Sequence, residues 1–421
     1  MTGFTSRVKA PESSRVSPAL WVWLAGVVAA LHIGKLPPAI PVLQQALGIS
    51  WLEAGFLLST VQVAGMTSGV LLGVWIPRLG LRRSLLLGQC LLGVAGLLGG
   101  WVDSATALMA LRALEGAGVL LTVLPAPALI RRLVPAQRLA VWLGGWGAYM
   151  PVGAALAMVL GPWWLNTWGW AAWWQGLAVV ALLLAVWCAL AVPPDSTTHA
   201  VQSAASATGH ATAGATPLPS GMWHDLSQTL RAPGPWWVAL CFALYSSQWL
   251  AVVGFLPTVY GLAGISAVQA GWMTAWVTLS NAFGNLAAGR LLARGVAPAV
   301  LLTVAFVTMG SMSVIAYADF TQPWPWVRFV AVWLFSAVGW LLPGTLFSLT
   351  VRVAPSDRTV STTVGWVQQC SATGQFAGPP VVAWLAAQAG GWQFTWVVTA
   401  LASLCGLGLV QLLGRELKSK R

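Results

Sequence analysis

Five ionisable side chains lie within long apolar stretches of this sequence, and their types could support charge-based binding or proton transfer. They are His32, Lys35, Arg112, Glu115 and Arg328. Inside a bilayer, a central charge costs at least about 2.5–3.5 kcal/mol on insertion scales, so such residues usually face a cavity or a partner. A cation can attract an anionic solute, whereas a histidine or a carboxylate can carry a proton. We predict that Lys35 binds a solute and that His32 and Glu115 are the candidates for proton transfer.

Each of the other side chains in this group also has a structural interpretation. Arg112 and Glu115 are three residues apart on one helical face, so they can neutralise each other as readily as they can act in transport. Arg328 lies near the start of its helix, and we favour an extended side chain that reaches the outer interface over solute contact. His32 is as well explained by packing and hydrogen bonding as by function.

A second set of polar residues lies at comparable depth in the apolar stretches. Any one of them could bond a neighbouring helix, and for most of them that is the safer interpretation. As a group they could line a polar cavity, and with Lys35 and His32 the first six form our predicted substrate-binding set. In chain order, the seven polar residues at this depth are Tyr149, Tyr245, Gln248, Asn281, Gln368, Gln369 and Gln375, of which Gln375 is outside the substrate-binding set.

The sequence lacks the residue combinations that a membrane enzyme would need for catalysis. A membrane enzyme would need a nucleophile with a base, a metal cluster or paired carboxylates on one face, and none of these occurs. The five cysteines are widely spaced within apolar stretches, which indicates buried thiols rather than disulfides or metal ligands. The sequence therefore predicts no enzyme activity, no catalytic residue, no metal site and no cofactor.

Composition requires that lipid be the solvent for most of the chain. Of 421 residues, 58% are hydrophobic and only 7% are charged, and the mean hydropathy is +0.77. A helix needs about 20 apolar residues to cross a hydrocarbon core of about 30 Å. The sequence predicts an all-α integral membrane protein with twelve transmembrane helices, at residues 20–43, 52–76, 84–101, 106–130, 139–161, 172–192, 236–260, 267–289, 297–317, 324–350, 360–386 and 393–413.

The predicted helices fall into two groups of six. Residues 20–192 form an N-terminal six-helix bundle and residues 236–413 form a C-terminal one. The stretch 193–235 between them is rich in Pro, Ala, Ser, Thr and Gly, which is typical of a flexible linker. A tail of residues 1–19 precedes the helices, and a basic tail of residues 414–421 follows them.

Lysine and arginine determine the orientation of these helices. Most of the 21 basic residues fall in alternate loops and in both tails. Short cytoplasmic loops hold such residues, so we place both termini and the linker in the cytoplasm. The net charge of +12 thus follows from topology, and no basic cluster on a soluble domain indicates a nucleic-acid partner.

The two groups of six helices are sequence repeats. Gly48-Ile49-Ser50 recurs at the same offset as Gly264-Ile265-Ser266, Trp21 recurs as Trp237 and Arg112 as Arg328. His32 corresponds to Gln248, and Lys35 corresponds to Ala251. Two parallel six-helix repeats joined by an inside linker are typical of transporters with a binding site between the halves.

The whole chain resembles the major facilitator superfamily. The loop between the second and third helices is similar to the family's Gly-x-x-x-Asp-Arg-x-Gly motif, with Pro77 in place of the aspartate, and Arg112, Gly116 and Gly118 match the family's helix-four pattern. The resemblance implies that this loop gates transport and that the two halves rock to give alternating access. The gating-loop residues are Gly73, Arg78, Gly80, Arg82 and Arg83.

Within that superfamily, the chain resembles the cyanate-permease-like subgroup. The resemblance rests on three short segments, which are Phe255-Leu256-Pro257-Thr258, Ile130-Arg131-Arg132 and Gly378-Pro379. It leaves the identity of the solute open.

These observations predict a secondary active transporter of a small solute, which we expect to be a small anion because the spans carry net positive charge. Lys35 would attract the anion, with His32 and Gln248 facing each other across the axis that relates the repeats. The alternative is a multidrug or metabolite exporter of the same fold, which the aromatic content favours. We expect a proton-coupled monomer that crosses the bacterial inner membrane several times.

The topology can be tested with reporter fusions. A reporter that is active only in the periplasm should be inactive when it is fused near residue 210, because the basic residues place the linker in the cytoplasm. Periplasmic activity of that fusion would show that the orientation is wrong.

Overall fold

The computed structural model describes residues 17–195 and 220–419, and the regular structure of these residues is helical. Among them, nine helices are long and apolar enough to span a membrane. One of the nine, Tyr149–Ala191, contains two spans because Gly169 breaks it with φ 78° and ψ 177°. Ala267–Ala293 and Val360–Ala389 have 27 and 30 residues, which is also sufficient length. The structure therefore contains the twelve spans that the sequence predicts.

The first half contains six spans, several of which are interrupted. In chain order they are α1 (Pro18–Leu47), α2 (Trp51–Thr60 continued by Val63–Leu79), α3 (Leu81–Gly99), α4 (Ala105–Leu133), α5 (Ala136–Trp146 continued by 149–168) and α6 (170–191).

The second half repeats this arrangement. Its spans are α7 (Pro233–Leu262), α8 (Ala267–Ala293), α9 (Pro298–Tyr317), α10 (Pro325–Val353), α11 (Val360–Ala389) and α12 (Thr395–Ser419).

Helical structure extends into the predicted flexible linker and into the predicted basic tail. In the predicted linker, Ser220–Arg231 forms a helix, which we call the linker helix. Its Thr229 hydroxyl is buried and lies 3.2 Å from the Thr362 hydroxyl of α11, so a tertiary contact stabilises a segment of weak apolar content. At the other end, α12 continues to Ser419 into the predicted basic tail. Residues 1–16, 196–219 and 420–421 lie outside the described residues.

The structure shows the sequence repeat as a repeated turn. Gly48 and Gly264, which end the first span of each half, both have positive φ, at 64° and 81°. In the first turn of α2, the Ser50 hydroxyl accepts from the Glu53 amide at 3.2 Å, and Glu53 Oε2 accepts from the Ser50 amide at 2.8 Å. Ser266 accepts in the same way from the amide of Gln269 at the start of α8, at 3.4 Å. Glu53 is therefore a helix cap.

The two halves meet through α2 with α11 and through α5 with α8. A Cβ atom at Gly55 of α2 would lie 2.9 Å from the Cα atom of Pro380. A Cβ atom at Gly271 of α8 would overlap the carbonyl oxygen of Met158 in α5. Both contacts lie toward the end of the bundle that holds the Gly48 and Gly264 turns, which we call the far end. The arginine-rich loops lie at the opposite end, which we call the basic end.

At the basic end, an acidic residue after α6 contacts the loop between α2 and α3, which the sequence predicts to gate transport. Asp195 accepts hydrogen bonds from the amides of Arg82 at 3.1 Å and Arg83 at 3.2 Å, and it lies 3.6 Å from Arg132 of α4. The carboxylate therefore caps the start of α3. Pro77 occupies the motif's aspartate position, and Asp195 supplies a carboxylate to this loop from a different part of the chain.

The α7–α11 crossing depends on two glycines four residues apart. Gly374 and Gly378 of α11 lie against the carbonyl oxygens of Ala243 and Ser247 in α7, and a Cβ atom at either glycine would overlap that oxygen. Such spacing of small residues allows two membrane helices to approach closely.

We predict that Gly378→Ala destabilises the protein by about 1–3 kcal/mol, because the added methyl group must push two backbones apart. Gly408→Ala is the matched control, since a Cβ atom at Gly408 in α12 meets no atom within 4 Å. Thermal unfolding of the purified proteins in detergent should show a lower midpoint for Gly378→Ala only. Equal midpoints would contradict this interpretation of the crossing.

Candidate functional site

Four buried polar side chains from two helices form an ionic cluster around Glu115 of α4. Lys35 Nζ donates to Glu115 Oε1 at 2.5 Å, and Arg112 Nη1 donates to Glu115 Oε2 at 2.6 Å. His32 Nδ1 lies 3.4 Å from Glu115 Oε1. None of the four residues is more than 1% exposed. We call His32, Lys35, Arg112 and Glu115 the ion cluster.

A break in α1 positions Lys35. The first helical segment of α1 ends at Gly34, and Pro37 and Pro38, which lack amide hydrogens, begin a short 3₁₀ turn. The Trp173 indole donates to the Lys35 carbonyl oxygen at 3.1 Å. Lys35 Nζ also lies 4.6 Å from the ring centroid of Trp174, within reach of a cation–π contact. The ammonium group is thus enclosed by α1, α4 and α6.

The ion cluster has more cations than anions. With Lys35 and Arg112 charged, Glu115 ionised and His32 neutral, the cluster carries one excess positive charge. Arg112 Nη1 also donates to the His32 carbonyl oxygen at 2.6 Å, whereas its Nε and Nη2 atoms are buried without a hydrogen-bond partner among the described residues. His32 Nε2 lies 3.3 Å from the Leu177 carbonyl oxygen of α6. The cluster therefore binds three helices of the first half together.

A cavity lies between the two halves, on the basic-end side of the far-end contacts. It has two lobes of about 410 Å³ and 500 Å³, and both are lined by Tyr149, Gln368 and Gln375. Among the described residues that line these lobes, none is charged. Ile33 lines the first lobe and lies between His32 and Lys35 in α1, so the ion cluster is directly behind the cavity wall.

Three residues of the predicted substrate-binding set line the cavity. Tyr149 and Gln368 line both lobes, and Tyr245 lines the second. The buried Tyr245 hydroxyl has no hydrogen-bond partner in the described part of the chain. These three residues are available to a solute.

The other predicted residues make contacts elsewhere. His32 and Gln248 do not face each other, because His32 contacts α6 and Gln248 accepts from Ser403 of α12 at 3.0 Å. Asn281 of α8 accepts from Ser336 of α10 at 2.6 Å, and Gln369 lies 3.4 Å from the Val70 amide of α2. The sequence predicted their depth in the apolar spans, but depth does not show which neighbour a side chain contacts. Their role in solute binding stays a prediction.

Arg328 closes the end of a helix. Its Nη2 atom donates to the Ala318 carbonyl oxygen after α9 at 2.7 Å, and its Nε atom donates to Thr321 Oγ1 at 3.1 Å. The side chain is half-buried at the far end. This geometry agrees with the prediction that Arg328 reaches toward the outer interface and does not contact the solute.

Gln62 of α2 is a cavity residue that was not among the predicted site residues. Its Nε2 atom donates to Gln375 Oε1 of α11 at 2.9 Å, and both side chains line the first lobe. The signal was present, because Gln62 is an amide within an apolar span. Its position in the interface between the halves depends on tertiary packing.

Removing the cluster's carboxylate should be more harmful than removing its lysine. Glu115→Gln leaves two buried cations without a counter-charge and should cost about 3–5 kcal/mol, whereas Lys35→Gln keeps the 2.6 Å pair of Arg112 with Glu115. In detergent, the midpoint of thermal unfolding should therefore be much lower for Glu115→Gln than for Lys35→Gln. The reverse order would show that the carboxylate is not the centre of the cluster.

Comparison with known proteins agrees with this architecture. The sequence profile of the Major Facilitator Superfamily matches residues 22–363. The cyanate transport protein CynX of Escherichia coli (strain K12) is 26% identical over 257 residues, a match that covers 59% of this chain and 60% of that protein. This agrees with the predicted subgroup, although the match spans less than two thirds of the relative's length.

Two solved structures share the fold at low sequence identity. A bacterial homologue of the human lysosomal transporter Spinster, in an inward-facing and occupied conformation, has a TM-score of 0.76 at 14% identity and covers 94% of this chain and 96% of its own. A D-xylose-proton symporter has a TM-score of 0.70 at 17% identity, with coverage of 94% and 96%. On the sequence match and the shared fold, the chain belongs to the major facilitator superfamily of membrane transporters.

Proposed function

We propose that this protein is a secondary transporter that moves a small anion by alternating access between its two six-helix halves. The observation that carries the proposal is the excess positive charge of the ion cluster directly behind an uncharged cavity. The 26% identical relative is a cyanate transport protein by name, and cyanate is a small anion. The cavity lining extends to Ser361 and Thr362, where α11 begins at the basic end, and this supports an inward-facing conformation.

Electrostatics favours an anion over a cation in this cavity. One uncompensated charge roughly 10 Å from a solute, at an effective dielectric constant of about 20, changes the energy of a monovalent ion by about 1.7 kcal/mol. The sign is favourable for an anion and unfavourable for a cation. Amide and hydroxyl groups, such as those of Gln368, Tyr149 and Tyr245, can then donate hydrogen bonds to the anion.

A specific observation favours the alternative, a multidrug or metabolite exporter. Aromatic side chains make up much of the second lobe, which suits an apolar solute; they include Trp146, Trp249, Trp340, Phe242 and Phe347. No acidic side chain accompanies them among the described lining residues. A lipophilic cation would therefore meet repulsion without compensation, and we rank the anion first.

Coupling to protons would allow uptake of an anion against a negative-inside potential, which opposes a monovalent anion by about 2.3 kcal/mol per 100 mV. Protonation of Glu115 would leave Lys35 and Arg112 without a counter-charge. We therefore assign the transported proton to His32, which contacts both Glu115 and the Leu177 carbonyl oxygen. The related symporter is coupled to protons by name.

The remaining parts of the proposal concern location and gating. We propose a monomer in the bacterial inner membrane, with the basic end in the cytoplasm. The loop that Asp195 holds at the start of α3, with Arg78, Arg82 and Arg83, would regulate closure at that end.

Transport of cyanate by purified protein in liposomes tests the proposal. We expect the parent protein to take up labelled cyanate, faster with a positive interior, and to add no tetraphenylphosphonium uptake to that of protein-free liposomes. Lys35→Gln should weaken cyanate binding about tenfold, which corresponds to about 1.4 kcal/mol, because it removes the excess charge.

The control is Arg290→Gln, which removes an exposed positive charge from the basic-end part of α8. It should leave the affinity unchanged. Tetraphenylphosphonium uptake above that of protein-free liposomes, without uptake of any small anion, would favour the exporter instead.

A further inference from the structure

Two glutamine side chains connect the halves of the protein at the cavity. Gln62 Nε2 of α2 donates to Gln375 Oε1 of α11 at 2.9 Å, and both residues line the first lobe. We propose that these two amides form a substrate-binding pair, in which a bound anion takes the place of their mutual hydrogen bond. The proposal rests on the proposed function and assigns a site to it.

The first-half member of the pair is fixed by a break in its helix. The regular part of α2 ends at Thr60 and resumes at Val63, with Gln62 at the break. The carbonyl oxygen of Val61 occupies the space where a side chain on Gly116 of α4 would lie. Since Gly116 follows Glu115, the backbone that carries Gln62 packs directly beside the ion cluster.

The second-half member is held by the α7–α11 crossing. Gln375 follows Gly374, which presses α11 against α7. Gln375 Nε2 donates to Ser371 Oγ at 3.4 Å, and Ser371 Oγ lies 2.7 Å from Ser246 Oγ of α7. A row of neutral polar groups therefore runs from Gln62 across α11 to α7.

The chemistry of this row suits a small anion. Each amide has two N–H donors, so Gln62 and Gln375 can each turn a donor toward an anion placed between them. Hydrogen bonds to an ionised acceptor are roughly twice as strong as those between neutral groups. Two amide–anion bonds in place of one amide–amide bond would therefore offset part of the cost of dehydrating the anion. The excess positive charge of the ion cluster, which lies behind the cavity wall, would also attract the anion.

The pair also connects binding to the relative position of the halves. Without substrate, the amide–amide bond is one of the contacts that join α2 to α11 in this conformation, beside the close approach of Gly55 to Pro380 and of Gly65 to Ala372. With substrate, the anion bridges the same two helices and the direct bond is broken. A ligand that contacts both halves can shift their equilibrium only through such a difference in contacts.

The experiment measures anion binding and conformation separately. Cyanate affinity is measured by calorimetry on the purified parent, Gln62→Ala, Gln375→Ala and the double variant. Conformation without ligand is measured as the distance between spin labels at Gln137→Cys and Arg352→Cys, two exposed positions at the basic end, after replacement of the five native cysteines. Thr373→Ala is the control, because Thr373 is exposed on α11 two residues from Gln375.

We expect each single variant to lose at least tenfold in cyanate affinity and to populate the inward-facing distance less than the parent. The double variant should shift the distances no further than either single one, because both remove the same bond. Thr373→Ala should match the parent in both measurements. Additive shifts, or parent-like distances in both single variants, would overturn the pair as a contact between the halves.

Affinity decides the binding role independently. Parent-like cyanate affinity in both single variants would overturn the pair as a binding site, while the proposed transport of anions would stand. If the parent itself binds none of the four anions cyanate, thiocyanate, azide and bicarbonate, both the proposed transport of anions and the proposed binding role of the glutamine pair are wrong. The label distances would then still decide whether the amide bond holds the halves together.

Discussion

The carboxylate of Glu115 is the constraint on which the first half depends. A buried cation in a bilayer protein is tolerated only where another group compensates it, and this one carboxylate accepts from both Lys35 and Arg112 within 2.6 Å. Since Arg112 also donates to the backbone of α1, and His32 contacts the backbone of α6, the charge requirement fixes how three helices meet. The break in α1 after Gly34 is part of the same arrangement, because it positions Lys35 between α4 and α6.

The two halves share a fold but not this chemistry. The position that matches Lys35 is Ala251, and the position that matches His32 is Gln248, which bonds a serine of α12. In the second half, hydroxyl and amide pairs such as Ser336 with Asn281 join neighbouring helices. Neutral hydrogen bonds are thus sufficient to assemble six helices of this shape. The charges of the first half are an addition to the fold, which is why we connect them with function.

The sequence contained most of the fold because membrane spans and helix turns are local features. Apolar length predicted all twelve spans, and the repeated Gly-Ile-Ser turn predicted the correspondence of the halves. The spacing of Arg112 and Glu115 also predicted their pair. What depends on packing could not be derived: Lys35 meets Glu115 only once α1 lies against α4, and Gln62 meets Gln375 only across the interface between the halves. The linker helix was missed for the same reason, since its buried Thr229 contacts α11.

The position of the charge behind the wall, and not in the cavity, suits a transporter of the proposed kind. A lysine in direct contact with an anion would form a buried ion pair, which is strong and slow to separate. A transport site must attract its solute and also release it, so weak contacts at several groups are preferable to one strong contact. With Ile33 in the cavity wall and the ion cluster behind it, an anionic solute in this cavity would experience the positive potential, and the polar groups that line the cavity are neutral amides and hydroxyls. The excess charge can then determine which ions enter, and the neutral lining can keep their binding reversible.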